Sequence, residues 1–176
     1  GFGLGTLLAP AMMLFLPVET AIALTGVVHF FNNLFKLTLV GKYSDRQILF
    51  QFGIPAVAAS FAGAWLLFYL NDLSPLITYL LFGKTFSITP IKFILAGLLA
   101  YFAWMELKPS SISNFSGRKH LSTGGLLSGF FGGLSGHQGA LRSAFLINCG
   151  LSKEAYLGTG VVVSFFIDLT RISVYS

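Results

Sequence analysis

The chain has 176 residues, of which 55% are hydrophobic and only 10% are charged, and its mean hydropathy is +0.79. A soluble domain carries about 25% charged residues, so this composition excludes an ordinary soluble domain. The net charge of +5 does not indicate nucleic acid, because the basic residues stand in short connections between apolar segments. The single cysteine, Cys149, excludes an internal disulfide and a cysteine zinc cluster. We therefore expect the lipid bilayer as a partner and predict neither a metal nor a cofactor.

Apolar segments follow one another along the chain and are separated by short polar turns. A membrane-crossing helix needs about 20 apolar residues, so residues 4–16 are predicted to be only the second half of a broken helix. Residues 71–87 are predicted to be an irregular connection with a short helix at 76–82. The other predicted spans are 21–40, 48–70, 88–105, 121–149 and 155–174. The fold class is therefore an all-α polytopic membrane protein with about six membrane segments.

One sequence pattern occurs twice in the chain. A shift of 134 positions places Gly5 on Gly139 and the run Thr25–Val28 on Thr159–Val162, without a gap. Each copy opens with a glycine-rich run that should break its helix, GFGLG in the first and GGLSGHQG in the second. A duplicated, glycine-interrupted apolar unit is typical of transporters built from internal repeats. The predicted division is a first repeat at 1–107, a cytoplasmic linker at 108–120 and a second repeat at 121–176.

The second copy stops where the first continues for two further spans, and the first begins inside its glycine run. We therefore expect the chain to be a fragment, truncated at both ends, of a protein of about 250 residues.

The distribution of lysine and arginine predicts the orientation in the membrane. The connections at 41–47 and 107–120 are more basic than those on the opposite side, which predicts a cytoplasmic location for them. The first group is Lys42, Arg46, Lys108, Arg118 and Lys119, and the second is Lys84 and Lys153. Four spans separate equivalent points of the copies, so the repeats are expected to run parallel. The predicted localisation is multi-pass in the cell inner (plasma) membrane.

Two apolar spans carry a stripe of polar residues on one helical face. Thr25, His29, Asn32 or Asn33, and Lys36 recur at intervals of three or four in one span, as do Ser164, Asp168 and Arg171 in the last. Polar groups at membrane depth face a bundle interior or a watery path. The stripes are therefore predicted to converge on one cavity. The alternatives are that Lys36 extends to the interface and that Asp168 and Arg171 only neutralise each other.

The glycine breaks predict an anion site, because the first N–H groups of a restarting helix are unpaired and attract negative charge. The second break holds Ser135, His137 and Gln138, with Arg142 one turn into the next helix. The alternative is that the glycines serve close packing and that Arg142 pairs with Asp168 or a carbonyl. The candidate substrate-binding residues are Gly3, Gly5, Thr6, His29, Asn33, Ser135, His137, Gln138, Arg142, Asp168 and Arg171.

A third signal is a stripe of small residues in the span at 48–70. Ala56, Ser60 and Gly63 or Ala64 recur at the spacing of a helical turn. Such a stripe lets two helices approach closely, and its simplest interpretation is packing.

The paired motifs resemble those of the sulfite exporter TauE/SafE family. The resemblance is carried by GFGLGTLLAP at 1–10 and by GFFGGLSGHQGALRSAFL at 129–146, each followed by a helix with TGVV. It implies a polytopic transporter that exports or takes up sulfite and small organosulfonates. The second copy has Ala144 where the first has Pro10, and it inserts His137, Gln138 and Arg142. A larger or differently charged anion is therefore an open alternative.

Other functions remain as alternatives at this level. A passive anion channel would use the same basic cavity. The run Gly133–Gly136 matches the GxSG motif of rhomboid proteases, but the only later histidine is His137, too close to stand on another helix. We therefore predict that the protein is not an enzyme. Coupled protons are a further candidate partner, because His29, His137 and Asp168 are ionisable, and the sequence does not fix the oligomeric state.

Overall fold

The computed structural model describes residues 4–81, 83–107 and 118–175, which are almost entirely helical. Two helices, α3 and α4, are continuous through a π-helical turn at Leu49–Gly53, and a 3₁₀ turn at Arg118–His120 precedes α6. The helices are α1 (Leu4–Met13), α2 (Val18–Val40), α3 (Arg46–Ile48), α4 (Ile54–Asn71), α5 (Pro90–Leu107), α6 (Leu121–Ser135), α7 (Gln138–Leu146) and α8 (Lys153–Tyr175).

Within these residues, three stretches are long and apolar enough to cross a membrane, which agrees with an all-α membrane protein. They are Val18–Tyr43, Arg46–Asn71 and Lys153–Val174. Many large apolar side chains on them are exposed, among them Phe31, Phe35 and Trp65. An exposed apolar surface of this kind fits contact with lipid. The expected total of six membrane segments stays a prediction, because α1, α6 and α7 are too short to cross alone.

The interior is built on the contact between α4 and α6. Glycines at 125, 129 and 133 of α6 face the backbone carbonyl oxygens of Phe52, Ala56 and Ser60, so closely that a Cβ atom would overlap them. Both series increase along the chain, so the two helices run parallel, backbone against backbone. The small-residue stripe of the span at 48–70 is thereby confirmed as a packing surface.

The segment 121–149 folds back on itself and does not form the single span that was predicted. Its helix is broken, as expected from the glycines, but at Gly136, where a φ of +80° reverses the chain direction. In the resulting hairpin, Gly124 near the start of α6 lies against the ring of Phe145 near the end of α7. The hydroxyl of Ser128 donates to the carbonyl oxygen of Gln138 at 3.1 Å. The physical reason for the reversal is that glycine alone adopts this left-handed conformation without strain.

The hairpin brings several connections to one end of the bundle, here called the Ser44 end. The backbone N–H of Asp45 donates to the hydroxyl of Thr159 at 2.8 Å. Arg118 donates to Gln47 Oε1 at 3.1 Å and to the carbonyl oxygen of Cys149 at 3.4 Å. Lys153 at the start of α8 therefore lies at the same end as Lys42 and Arg46, and its predicted place on the opposite side is wrong.

The expectation of parallel repeats is wrong for the same reason. The start of α8 meets the end of α2, where Gly158 lies against the carbonyl oxygen of Val40. Near the other end of both helices, Gly26 lies against Arg171. Helices α2 and α8 occupy equivalent positions in the sequence copies, yet they run antiparallel. The reason is that the hairpin α6–α7 returns the chain to the Ser44 end before α8 begins.

The opposite end of the bundle, here called the Asp72 end, holds a second apolar cluster and a β-hairpin. Val18, Leu67, Ile91 and Leu134 are buried together in the cluster. Beyond α4, strands β1 (Ile77–Leu81) and β2 (Lys84–Ile88) pair antiparallel, Ile77 opposite Ile88, with Gly83 in the turn at φ +73°. The helix predicted at 76–82 is therefore wrong; β-branched and aromatic residues favour a strand there.

Candidate functional site

Asp168 stands at the centre of a buried polar cluster between α2, α7 and α8. Its side chain is 1% exposed. Asn33 Nδ2 donates to Asp168 Oδ2 at 2.7 Å, and Gln138 Nε2 lies 3.4 Å from Asp168 Oδ1. Asn33 comes from one sequence copy and Gln138 and Asp168 from the other. The two predicted stripes therefore meet at Asn33 and Asp168, and the cavity that they were predicted to line stays a prediction.

Arg171 completes the cluster and is its most informative member. Its Nη2 lies 3.3 Å from Asp168 Oδ1, so the predicted ion pair at a spacing of three residues is present. The side chain is fully buried, but Nε and Nη1 have no hydrogen-bond partner among the described residues. An ion pair alone therefore does not satisfy this guanidinium. A buried donor without an acceptor costs about 1–3 kcal/mol, and more for a charged group, so these two nitrogens point to an additional acceptor.

Two glycines make the space that Arg171 occupies. A Cβ atom on Gly26 of α2 would lie 3.0 Å from Nη2 and 3.2 Å from Nε of Arg171. A Cβ atom on Gly136, in the turn between α6 and α7, would overlap Nη1. The guanidinium thus lies between a membrane-spanning helix and the tip of the hairpin. We call the arrangement of Gly26, Gly136, Gln138, Asp168 and Arg171 the arginine pocket.

The short helices α1 and α7 enter the bundle from opposite ends. Helix α7 begins at Gln138 in the arginine pocket, and no side chain caps its N-terminus. Thr25 Oγ1 of α2 donates to Met12 Sδ at 3.6 Å, so α1 lies along α2 with its C-terminal end towards the Asp72 end. Half-helices with inward N-termini carry partial positive charge towards the middle of the bundle. This geometry suits an anion.

The histidines and Ser135 lie around the same pocket. His29 is half-buried on the inner face of α2, and its Nε2 has no hydrogen-bond partner among the described residues. His137 is buried, with Nδ1 2.9 Å from the carbonyl oxygen of Ser135. The hydroxyl of Ser135 donates to the carbonyl oxygen of Phe131 at 2.9 Å. A hydroxyl held by a backbone carbonyl in this way is not poised for attack, which disfavours the protease alternative.

Arg142 lies outside the arginine pocket. Its Nη1 donates to the hydroxyl of Ser164 on α8, and its Nε faces Gly160, where a Cβ atom would lie 3.2 Å away. This contact places Arg142 between α7 and α8, one turn from Asp168 along α8. Its predicted contact with substrate stays a prediction, and the structure gives it a partner that neither sequence alternative named.

The remaining candidates belong to the first glycine run. Gly3 lies outside the described residues, while Gly5 and Thr6 stand in the first turns of α1. The predicted linker at 108–120 falls largely outside the described residues as well. Their roles stay predictions. Among the described residues, no group of three or more histidine, cysteine, aspartate or glutamate side chains could hold a metal ion.

Sequence reasoning missed the three glycines that contact arginines. Gly26 and Gly160 are equivalent under the shift of 134 positions, and each faces a guanidinium. The TGVV run is common to both sequence copies, but nothing in the run itself predicts which side chain lies against its glycine. Gly136 was one of seven glycines in its segment, and its positive φ distinguishes it only in the structure.

A family model described as "Sulfite exporter TauE/SafE" matches residues 1–176. No curated protein and no solved structure matches the chain. Because the match covers the whole chain, the protein belongs to the sulfite exporter TauE/SafE family, which are membrane transporters and not enzymes. The family assignment agrees with the three membrane-spanning stretches.

Proposed function

We propose that this family member carries small oxyanions, sulfite or organosulfonates, across the inner (plasma) membrane, and that the anion binds in the arginine pocket. The observation that carries the proposal is the buried guanidinium of Arg171, two of whose nitrogens, Nε and Nη1, lack a hydrogen-bond partner among the described residues. A guanidinium at membrane depth costs ~3 kcal/mol or more by insertion scales. An oxyanion that accepts from Nε and Nη1 would offset that cost.

The geometry of the donors favours an oxyanion over other solutes. The planar guanidinium fork matches two oxygens of a sulfite, sulfonate or carboxylate group. Helix α7 begins beside it at Gln138, and the N-terminus of a helix attracts negative charge. Asp168 neutralises only one charge where Arg171 and Arg142 supply two. The pocket together with Arg142 beside it therefore has a net positive charge before substrate binds.

The Ser44 end is proposed to face the cytoplasm. Lysine and arginine accumulate in the cytoplasmic connections of membrane proteins. The connections at the Ser44 end carry Lys42, Arg46, Arg118 and Lys153, whereas Lys84 and Lys92 stand at the Asp72 end. The bias has the same direction as the one read from the sequence, with Lys153 now on the Ser44 side.

The proposal is tested with the full-length protein in liposomes. Labelled sulfite should exchange against internal unlabelled sulfite in wild type, and Arg171→Gln should reduce the exchange to the level of protein-free liposomes. Arg171→Lys keeps the charge but loses the fork, so we expect at least about tenfold weaker binding. Arg46→Gln is the matched control, because Arg46 is exposed at the Ser44 end, and it should leave exchange unchanged.

The same measurement separates the transport alternatives. A carrier gives counterflow, in which internal substrate accelerates entry of the label, whereas a passive anion channel gives conductance without it. Exchange by Arg171→Gln at the wild-type rate would move the anion site away from the arginine pocket.

A further inference from the structure

Asp168 is held in the arginine pocket by donors from three helices. Asn33 of α2, Gln138 of α7 and Arg171 of α8 lie 2.7, 3.4 and 3.3 Å from its carboxylate oxygens. The side chain is 1% exposed. The same guanidinium that offers Nε and Nη1 to an anion is therefore bound through Nη2 to a fixed carboxylate. Substrate and Asp168 share one cation.

The net charge of the pocket depends on the charge of the bound substrate. Arg171 and Arg142 are the two cations that act on Asp168. With Asp168 ionised, Arg171 in the pocket and Arg142 beside it are balanced by one monovalent anion, but a divalent anion such as sulfite leaves an excess negative charge. An uncompensated charge in a low-dielectric interior is costly. One proton on Asp168 would restore neutrality.

Gln138 offers a partner for such a proton. Its Oε1 is buried without a hydrogen-bond partner among the described residues, while its Nε2 faces Asp168. Rotation of the amide by a half-turn exchanges the two atoms. A protonated Asp168 can then donate to Oε1, which is otherwise an unsatisfied acceptor. The pocket thus accommodates both protonation states of Asp168.

The other ionisable groups near the pocket are less suited to this role. His29 of α2 and His137 of the hairpin turn are the nearest histidines, and both experience the positive charge of Arg171. His29 also experiences the positive charge of Lys36 on α2. A further positive charge on either histidine would be opposed by Arg171. Asp168, by contrast, shares a hydrogen bond with Arg171.

We propose that Asp168 is the proton-binding residue of this transporter, and that it takes up a proton from water when a divalent oxyanion binds Arg171. This inference rests on the proposed function. Anion and proton stabilise each other's binding, because each reduces the charge imbalance that the other would cause. An inward proton gradient should then drive accumulation of the anion.

The test compares two transport modes of full-length protein in liposomes, with protein-free liposomes as background. Wild type should exchange labelled sulfite at equal pH and should accumulate it when the outside is more acidic. Asp168→Asn mimics the protonated state, and Asn33 can meet the new amide by rotating its own. This variant should lose accumulation driven by the gradient, and any exchange that it retains should not respond to the pH difference. Asp72→Asn, altered at an exposed carboxylate outside the pocket, should keep both.

The outcomes separate the two proposals. Exchange by wild type that ignores the pH gradient, or accumulation by Asp168→Asn at the wild-type level, overturns proton binding by Asp168 alone. Absence of exchange by wild type overturns the proposed function and the coupling with it. If Asp168→Asn does not fold, calorimetric titration of wild type with sulfite at alkaline pH, in buffers of different ionisation enthalpy, decides. We expect uptake of about one proton per bound anion; no uptake refutes the proposal.

Discussion

Gly26 and Gly160, which are equivalent positions of the two sequence copies, each lie against an arginine of the second copy. A Cβ atom on Gly26 would lie 3.0 Å from Arg171 Nη2, and one on Gly160 would lie 3.2 Å from Arg142 Nε. The same TGVV run is thus used twice to admit a guanidinium beside a membrane-spanning helix. The difference is that Arg142 donates to Ser164, whereas Arg171 retains two donors without a partner among the described residues.

The two arginines should therefore respond differently to substitution. Arg171→Lys should weaken sulfite binding at least about tenfold, or about 1.4 kcal/mol, because the second N–H donor towards the anion is lost. Arg142→Lys should change affinity little and lower thermal stability, because Arg142 links α7 to α8 through Ser164. Calorimetry measures the affinity of both variants for sulfite, and thermal unfolding in detergent measures their melting temperatures. Equal loss of affinity in both variants would place Arg142 at the anion as well.

A methyl group at Gly136 should disrupt the arginine pocket beyond its backbone strain. Gly136 and Gly150 have φ values of +80° and +70°, so alanine at either position costs about 1–2 kcal/mol. At Gly150 the added Cβ meets nothing within 4 Å, whereas at Gly136 it overlaps Arg171 Nη1. Gly136→Ala should abolish sulfite exchange, and Gly150→Ala should keep it at a lower melting temperature. Similar exchange in the two variants would contradict the contact.

The contact between α4 and α6 should be intolerant of one methyl group. At Gly129 a Cβ atom would overlap the carbonyl oxygen of Ala56, so Gly129→Ala should force the helices apart and cost about 1–3 kcal/mol or more. Gly97 of α5 has nothing within 4 Å of the added Cβ, and Gly97→Ala should gain about 0.5–1 kcal/mol from helix propensity. Thermal unfolding of the detergent-solubilised protein measures both. Opposite signs are expected, and a tolerated Gly129→Ala would argue against the close approach.

Chemical labelling decides the topology. In a Cys149→Ser background, cysteines at Ser44 and Ser152 should be modified from the same side of the membrane, because both positions lie at the Ser44 end. A cysteine at Asp72 should be modified from the other side. Modification of these two cysteines from opposite sides would instead show that the segment 121–149 crosses the membrane, as the sequence predicted, and would contradict the hairpin.

The sequence predicted most helices closely, because each span is a long apolar run with clear polar ends. The span predicted at 21–40 is α2 at Val18–Val40, and that predicted at 155–174 is α8 at Lys153–Tyr175. The direction of the chain after Gly136 was not predictable in the same way. A glycine can bend, break or reverse a helix, and the outcome depends on which contacts the following residues find, here Phe145 against Gly124.

The candidate site was predictable as a set of residues but not as a geometry. Helical spacing placed Asn33, Asp168 and Arg171 on inner faces, and the structure brings them together. Which arginine would have unpartnered donors depended on tertiary neighbours. Ser164 is a hydroxyl within reach of Arg142, whereas the surroundings of Arg171 include two glycines that provide space but no side-chain acceptor.

The antiparallel relation of α2 and α8 has a consequence for how the chain enters the membrane during synthesis. Two equivalent apolar helices must be inserted in opposite directions, so their hydrophobicity alone cannot determine the direction of either. Equivalent positions at the start of the two helices carry Glu19 in the first copy and Lys153 in the second, while Lys42 follows the first helix and Ser176 stands at its counterpart. Lysine is retained on the cytoplasmic side. Lys42 would therefore keep the end of α2 on that side, and Lys153 would keep the beginning of α8 there. A few flanking charges therefore determine the direction in which each of the two helices is inserted.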